Sequence, residues 1–142
     1  MGSGFFTSRN GGRAGAAAGG PSLEGLRGAT TCSANTTTDI RQAVRELIDV
    51  LVSRNGISPA QIVSVTFSVT ADLDACFPAA EARQRNGWGS VALLDCQQMA
   101  VQGDLCRCIR VLAHVWLPPE QTPQHPYLGE ASRLRPDRSG HN

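Results

Sequence analysis

The chain has 142 residues, enough for one domain with a sizeable core, and 41% of them are apolar, as in an ordinary globular protein. Its formal net charge of +1 argues against a nucleic-acid or membrane binder that works through a strong positive field. All 13 basic residues are arginine, so any anion site must use guanidinium groups, which suit carboxylates in bidentate geometry.

The cysteines argue against a disulfide framework and against a metal site. Five is an odd number, and none of the spacings matches CxxC or a zinc-ligand pattern. Reduced thiols in a cytoplasmic protein are the simplest interpretation. No stretch approaches the roughly 18–20 apolar residues that span a bilayer. The cysteines are Cys32, Cys76, Cys96, Cys106 and Cys108.

The first 22 residues differ from the rest of the chain. Seven of the 15 glycines lie in the first twenty positions, and residues 14–20 are low in complexity. Such a segment cannot bury enough apolar area to offset its ordering entropy, so we predict a disordered extension. The domain is predicted over residues 23–137, with a polar tail at 138–142.

A first strand is predicted over residues 23–31, followed by a long amphipathic helix. Thr36 and Asp39 match a capping box at the start of this helix, and Asn55-Gly56 provides a left-handed stop. Between them, six apolar residues recur at helical spacing and predict a face that packs on a sheet: Ile40, Val44, Leu47, Ile48, Leu51 and Val52.

The middle of the chain predicts a strand and a short helix. Valines and a phenylalanine at 63, 65, 67 and 69 alternate with serines and threonines, which is the pattern of a half-buried strand. Residues 72–77 are predicted to be a loop. Residues 78–85 are good helix formers opened by a proline, and Gly87-Trp88-Gly89 ends them.

Three strands are predicted in the last third, at 91–95, 108–117 and, more briefly, 127–134. Gly103-Asp104 marks a turn before the second of these, and a proline-rich loop follows it. The result is an α+β fold: a mixed sheet with one long and one short helix on one face. Two helices leave the other face uncovered, so we expect a homo-oligomer.

Arg110 is the sharpest candidate for chemistry, because it lies inside an apolar strand where an unpaired cation is costly. Its partner is either an internal acid, such as Asp95, or an anionic ligand. Asp95, Gln98, Tyr127 and His114 carry little signal individually. The chain contains no GxSxG, Walker, HExxH or dinucleotide-binding motif.

From residue 26 to 137 the chain resembles the AroH class of chorismate mutases. The matching segments occur in order and with near-constant spacing, at 26–31, 71–79, 87–88, 97–99, 108–111, 125–128 and 134–137. The resemblance implies a homotrimeric pseudo-α/β barrel with active sites between subunits. It also implies the rearrangement of chorismate to prephenate, in phenylalanine and tyrosine synthesis, without a cofactor.

The resemblance further implies roles for individual residues. Arg110 would stabilise the ether oxygen of the transition state, and Arg27 and Tyr127 would bind a substrate carboxylate. Arg135 would be a cation at the mouth. The ring hydroxyl would be held by the segment Leu93, Leu94, Asp95, Cys96, Gln97 and Gln98. A neighbouring subunit would contribute a wall made of Phe77, Ala79 and Arg83.

Three positions depart from the family pattern. The usual glutamate falls at Gln98, the usual cysteine at Asp95 and a mouth lysine at Ala80. We hypothesise that Asp95 compensates for Gln98 by keeping one negative charge near the ring. Two alternative functions are not excluded by the sequence: a non-catalytic trimeric paralogue, and a trimer of similar architecture that handles small imine or enamine metabolites.

Overall fold

The computed structural model describes residues 19–136, which form one mixed four-stranded sheet with two α-helices. The strand order is β1-β4-β2-β3, where β4 is antiparallel to β1 and β2, and β3 is parallel to β2. The α+β prediction is therefore confirmed. The strands are β1 (Ser22–Thr31), β2 (Ile62–Val69), β3 (Ala92–Gln97) and β4 (Cys108–Leu117), and the helices are α1 (Thr37–Asn55) and α2 (Pro78–Arg83).

Helix α1 begins and ends where the sequence predicts. The Thr36 hydroxyl accepts a hydrogen bond from the backbone N–H of Asp39 at 3.1 Å, and Gly56 has the left-handed φ of 59° that ends the helix. The apolar side of α1 is buried against the sheet, in a core shared with Phe67 and Val111. This packing fixes which face of the sheet is covered.

A β-bulge changes the predicted alternation of β2. The register against β4 shifts between Ile62 and Ser64, so that Ile62 is buried at 8% exposure and Val63 is 47% exposed. The alternation that puts Val63 on the same face as Val65 does not hold in the structure, because the extra residue in the bulge reverses the faces before it.

The predicted last strand over 127–134 was also wrong in most of its length. Tyr127 makes a single parallel bridge to Ala29, after which Gly129 adopts a φ of 55° and ends the extended run. Residues Gly129–Leu134 then form a 3₁₀ helix, opened by the bond from the Ala131 N–H to the Leu128 carbonyl. Glycine takes this positive φ without the steric cost that a side chain brings.

Some predicted segments lie outside the residues that the structure describes. Most of the predicted disordered extension and all of the polar tail lie outside residues 19–136. Within those residues, no helix is long and apolar enough to cross a membrane, and no group of three acidic, histidine or cysteine side chains is arranged to hold a metal. The five cysteines are free thiols.

Within residues 19–136, little packs on the sheet face opposite the helices, and we call it the open face. Strand alternation places Arg27, Leu112 and Leu94 in one row across it, with Arg110 and Ser68 in the next row. Leu112 is 38% exposed and Leu94 is 59% exposed. Two large apolar residues are therefore solvent-facing on a sheet surface.

Candidate active site

Arg110 lies near the middle of the sheet, because β4 runs between β1 and β2. Its Nη2 donates to a carboxylate oxygen of Asp104 at 3.1 Å, and the two side chains are only 26% and 19% exposed. Its Nε is buried and has no hydrogen-bond partner among residues 19–136. The internal acid that contacts Arg110 is thus Asp104, which corrects the suggestion that it is Asp95.

The outer edge of β1 brings Arg27 and Tyr127 to one side of Arg110. Together with Gln98, Ser68 and Asp104, these three residues form what we call the open-face cluster. The Arg27 N–H donates to His125 Nδ1 at 2.9 Å, and the Ala29 N–H donates to the Pro126 carbonyl at 3.0 Å. These bonds hold the 125–128 segment parallel to β1. Tyr127 is consequently buried at 6% exposure beside Ala29, the residue that pairs with Arg110 in the sheet register.

Gln98 lies just beyond the end of β3, on the side of Arg110 opposite to β1. Its backbone N–H donates to the Val69 carbonyl at 2.7 Å, and its side-chain carbonyl accepts from the Ser68 hydroxyl at 2.8 Å. Ser68 is the register partner of Arg110 on the open face. The structure therefore brings Gln98 close to Arg110 through one shared neighbour.

Asp95 points to the opposite face of the sheet. It pairs in register with the buried Phe67, and its carboxylate accepts a hydrogen bond from the Ala79 N–H at 3.0 Å. Burial raises the pKa of Asp95, while the Ala79 N–H and the charge of Arg83 oppose that rise. The structure does not bring this carboxylate to Gln98 or Arg110.

The remaining candidates divide between the two edges of the sheet. Phe77, at 71% exposure, and the exposed Arg83 flank the buried Ala79 on α2, which packs beside the edge strand β3. From β3 to β1 is three strand spacings, or about 14 Å. Arg135, partly exposed, follows the 3₁₀ helix at the β1 edge.

The segment predicted to hold a ring hydroxyl is divided by strand alternation. Leu93 packs against the core, whereas Leu94 and Cys96 lie on the open face. Gln97 is exposed at the end of β3, next to Gln98.

Two residues of the cluster were not predicted from the sequence. Asp104 follows Gly103, and a Gly-Asp pair is a common turn signal that says nothing about a partner six residues later. Ser68 is one of several small polar residues that alternate along β2. Only the strand register shows that it faces Arg110.

The sequence model of the family chorismate mutase type I matches residues 23–138. The chain belongs to this family. It is 37% identical over 118 residues to the chorismate mutase AroH of Bacillus subtilis, covering 82% of this chain and 93% of that protein. It is 45% identical over 118 residues to the chorismate mutase AroH of Thermus thermophilus, covering 81% of this chain and 95% of that one.

A solved chorismate mutase from Clostridium thermocellum has the same fold. The TM-score is 0.73 at 40% identity, and the match covers 78% of this chain and 99% of that structure. The predicted resemblance to chorismate mutases is thereby confirmed.

Proposed function

We propose that the open-face cluster catalyses the rearrangement of chorismate to prephenate. The observation that carries the proposal is the grouping of Arg27, Arg110, Tyr127 and Gln98 on one face of the sheet, in a chain that belongs to the chorismate mutase type I family. Arg27, Arg110 and Tyr127 match the family's site in sequence, and Gln98 stands where the family's usual glutamate falls. No observation favours the non-catalytic or imine-handling alternatives over this function.

The chemistry suits a site built around a fixed cation. The rearrangement breaks a C–O bond and forms a C–C bond within one molecule, without net proton transfer. Negative charge develops on the ether oxygen as the C–O bond breaks, and Arg110 is the cation we assign to that oxygen. A preorganised donor at such a position typically contributes about 3–4 kcal/mol.

Chorismate is a dicarboxylate, and the arginines supply the matching charge. Arg27 is exposed on the open face beside the strand that bears Arg110, so we assign it to one substrate carboxylate together with Tyr127. Arg135, at the same edge, is assigned to the mouth of the site. Guanidinium groups bind carboxylates with two parallel hydrogen bonds, which fixes orientation as well as charge.

The complete site is proposed to form between subunits of a homotrimer. Phe77, Ala79 and Arg83 lie at the β3 edge of the sheet, while Arg27 and Tyr127 lie at the β1 edge. A single chain therefore presents the two halves of the site at opposite edges. Exposed Leu94 and Leu112 on the open face provide apolar area that subunit association would bury.

The absence of the mouth lysine should affect substrate capture more than the chemical step. Ala80 lies on α2 and carries no charge, and rim charges act mainly on encounter and affinity. We therefore expect the missing charge to raise KM with little effect on kcat. We also propose that the enzyme works in the cytoplasm, consistent with its free thiols.

The direct test is turnover by the full chain. Chorismate is added to the purified protein, its absorbance loss is followed, and prephenate is confirmed by acid conversion to phenylpyruvate. We expect saturable conversion to prephenate. A folded protein that leaves chorismate unchanged would contradict the proposal and would favour the non-catalytic alternative.

A further inference from the structure

We infer that Asp104 is the positioning residue for Arg110, and that it supplies the negative charge that Gln98 lacks. This inference rests on the proposed function of the open-face cluster. It assigns to a loop residue the role that the sequence hypothesis gave to Asp95. The inference is based on the contact between Arg110 Nη2 and Asp104 Oδ1, which are 3.1 Å apart.

The Asp104 carboxylate is itself held in place. Gly103 has a φ of 85° and turns the chain, and the Asp104 N–H donates to the Val101 carbonyl at 3.1 Å. The carboxylate oxygen that contacts Arg110 also accepts the backbone N–H of Leu105 at 2.8 Å. A carboxylate fixed by its own loop can fix the group that it binds.

The Asp104–Arg110 ion pair is partly buried, which increases its contribution to the position of Arg110. Asp104 is 19% exposed and Arg110 is 26% exposed in their side chains, whereas exposed ion pairs contribute little. By comparison, Arg133 and Glu130 form a pair at a similar distance with side chains that are 74% and 63% exposed. Low solvent exposure strengthens the electrostatic interaction of Arg110 with Asp104 and limits its screening by salt.

The pair leaves donors of Arg110 for the substrate. A guanidinium has five N–H donors in a rigid plane, and the Asp104 bond uses one at Nη2. A hydrogen bond at Nη2 fixes the orientation of the whole planar guanidinium, including its other N–H groups. The cation is therefore in place before the transition state forms. A long side chain without this anchor would have to be ordered in every reaction cycle.

The other nearby acid and amide cannot take this role in the observed geometry. Asp95 lies on the helix-covered face and binds the Ala79 N–H. Gln98 is uncharged and bonds to Ser68. Where the family's usual glutamate would stand, this chain has an amide, and the carboxylate in contact with Arg110 comes from the loop before β4.

The kinetic test uses Asp104→Asn in the full chain, which preserves shape and removes the charge. We expect kcat to fall about tenfold to a hundredfold, because small misplacements of a catalytic group have effects of this size. KM should change by less than about threefold, since the Arg27 and Tyr127 contacts remain. Asp104→Glu, which restores the charge, should recover part of the loss.

Two further variants make the result specific. Asp49→Asn breaks another Arg–Asp contact, the 2.7 Å pair with Arg85 on the helix side, and should leave both constants unchanged. Asp95→Asn should lower kcat less than Asp104→Asn does. An unchanged or raised kcat in Asp104→Asn, or a larger loss in Asp95→Asn, would overturn the inference.

A spectroscopic measurement tests the pair independently of turnover. The N–H resonance of Arg110 Nε, assigned by its disappearance in Arg110→Lys, should exchange slowly in the wild type and in Asp49→Asn. It should broaden or vanish in Asp104→Asn. An Arg110 signal that is unaffected by Asp104→Asn would refute the positioning role, whereas a wild type without turnover but with this signal change would refute only the proposed function.

Discussion

The Ser68 hydroxyl donates a 2.8 Å hydrogen bond to the side-chain carbonyl of Gln98, and this bond decides how the amide is presented. With the carbonyl oxygen bound to Ser68, the amide NH₂ is the group that points away from β2. Gln98 therefore presents a donor where a glutamate would present an acceptor. The ring hydroxyl of chorismate can accept such a hydrogen bond.

Ser68→Ala should release the Gln98 amide and lower kcat/KM about fivefold, the equivalent of one net hydrogen bond of about 1 kcal/mol. Gln98→Ala removes the amide altogether and should lower kcat/KM further. Steady-state kinetics of both variants, with thermal unfolding as the control for folding, measures the two effects. A larger loss in Ser68→Ala than in Gln98→Ala would contradict the arrangement.

Gly28 should tolerate no side chain, because the 125–128 segment approaches β1 there. A Cβ at this position would lie 2.8 Å from the Pro126 carbonyl oxygen and 3.3 Å from Leu47 Cδ1. Gly28→Ala should therefore displace the segment that holds Tyr127, raising KM and lowering the free energy of unfolding by about 1–3 kcal/mol.

The matched control for Gly28→Ala is Gly89→Ala, whose Cβ would meet nothing within 4 Å. Denaturant unfolding and steady-state kinetics distinguish the two variants. Equal stabilities and equal KM values for both would show that the segment is not packed against β1 as described.

Association through the open face can be tested by placing charge on it. Leu94→Asp and Leu112→Asp should each convert a trimer to smaller species, because an unpaired carboxylate would be buried in the interface. Activity should fall with the trimer, since the α2 residues and Arg27 lie at opposite sheet edges. Sedimentation velocity measures the association state.

Ser53→Asp adds the same charge on the exposed side of α1 and should leave the association state unchanged. A wild type that sediments as a monomer while turning over chorismate would rule out the intersubunit site.

Cys32 should make stability depend on pH in the alkaline range. Burial, with smaller contributions from Asp39, Cys108 and Cys76, raises the pKa of Cys32 from 9.0 to about 11, against an opposing effect of Arg107. The folded state therefore holds the thiol proton after the unfolded state has begun to lose it. Stability should fall as the pH rises from about 9 to about 11, by about 2–3 kcal/mol in total.

The comparison with Cys32→Ala isolates this contribution from those of other groups. The difference in unfolding free energy between the two proteins should be constant below about pH 8 and should shift in favour of Cys32→Ala above pH 9. Parallel curves across the whole range would show that the Cys32 pKa is not raised.

The parts of the fold that follow from local patterns were predictable. The cap at Thr36, the stop at Gly56 and the long run of β4 are each determined by neighbours in sequence, and each occurs as predicted. The exposure of Val63 was not predictable in this way. A bulge between two strands depends on the register with β4, where the partners His114 and Val115 lie fifty or more residues away, and alternation within β2 does not contain that information.

In the candidate site, too, local sequence patterns identified some residues and missed those that tertiary contacts place there. Arg110 was identifiable because a cation within an apolar strand needs a partner. The internal acid suggested for it, with an anionic ligand as the alternative, was Asp95, whereas the acid in contact is Asp104. Asp95 is close to the matched segment in sequence, yet strand alternation turns it to the other face. Asp104 comes from a loop whose course is set by Gly103 and by tertiary contacts, which no local pattern specifies.

If Arg110 provides the cation for the rearrangement of chorismate, then Arg110→Ala must lose most of the turnover, which steady-state kinetics with chorismate measures. We expect the wild type to convert chorismate to prephenate with saturation. Arg110→Ala, folded as shown by thermal unfolding, should lose at least about a hundredfold in kcat. Arg45→Ala, which removes an exposed arginine from α1, should not. Wild-type turnover that persists in Arg110→Ala would show that Arg110 is not the cation that acts on the ether oxygen.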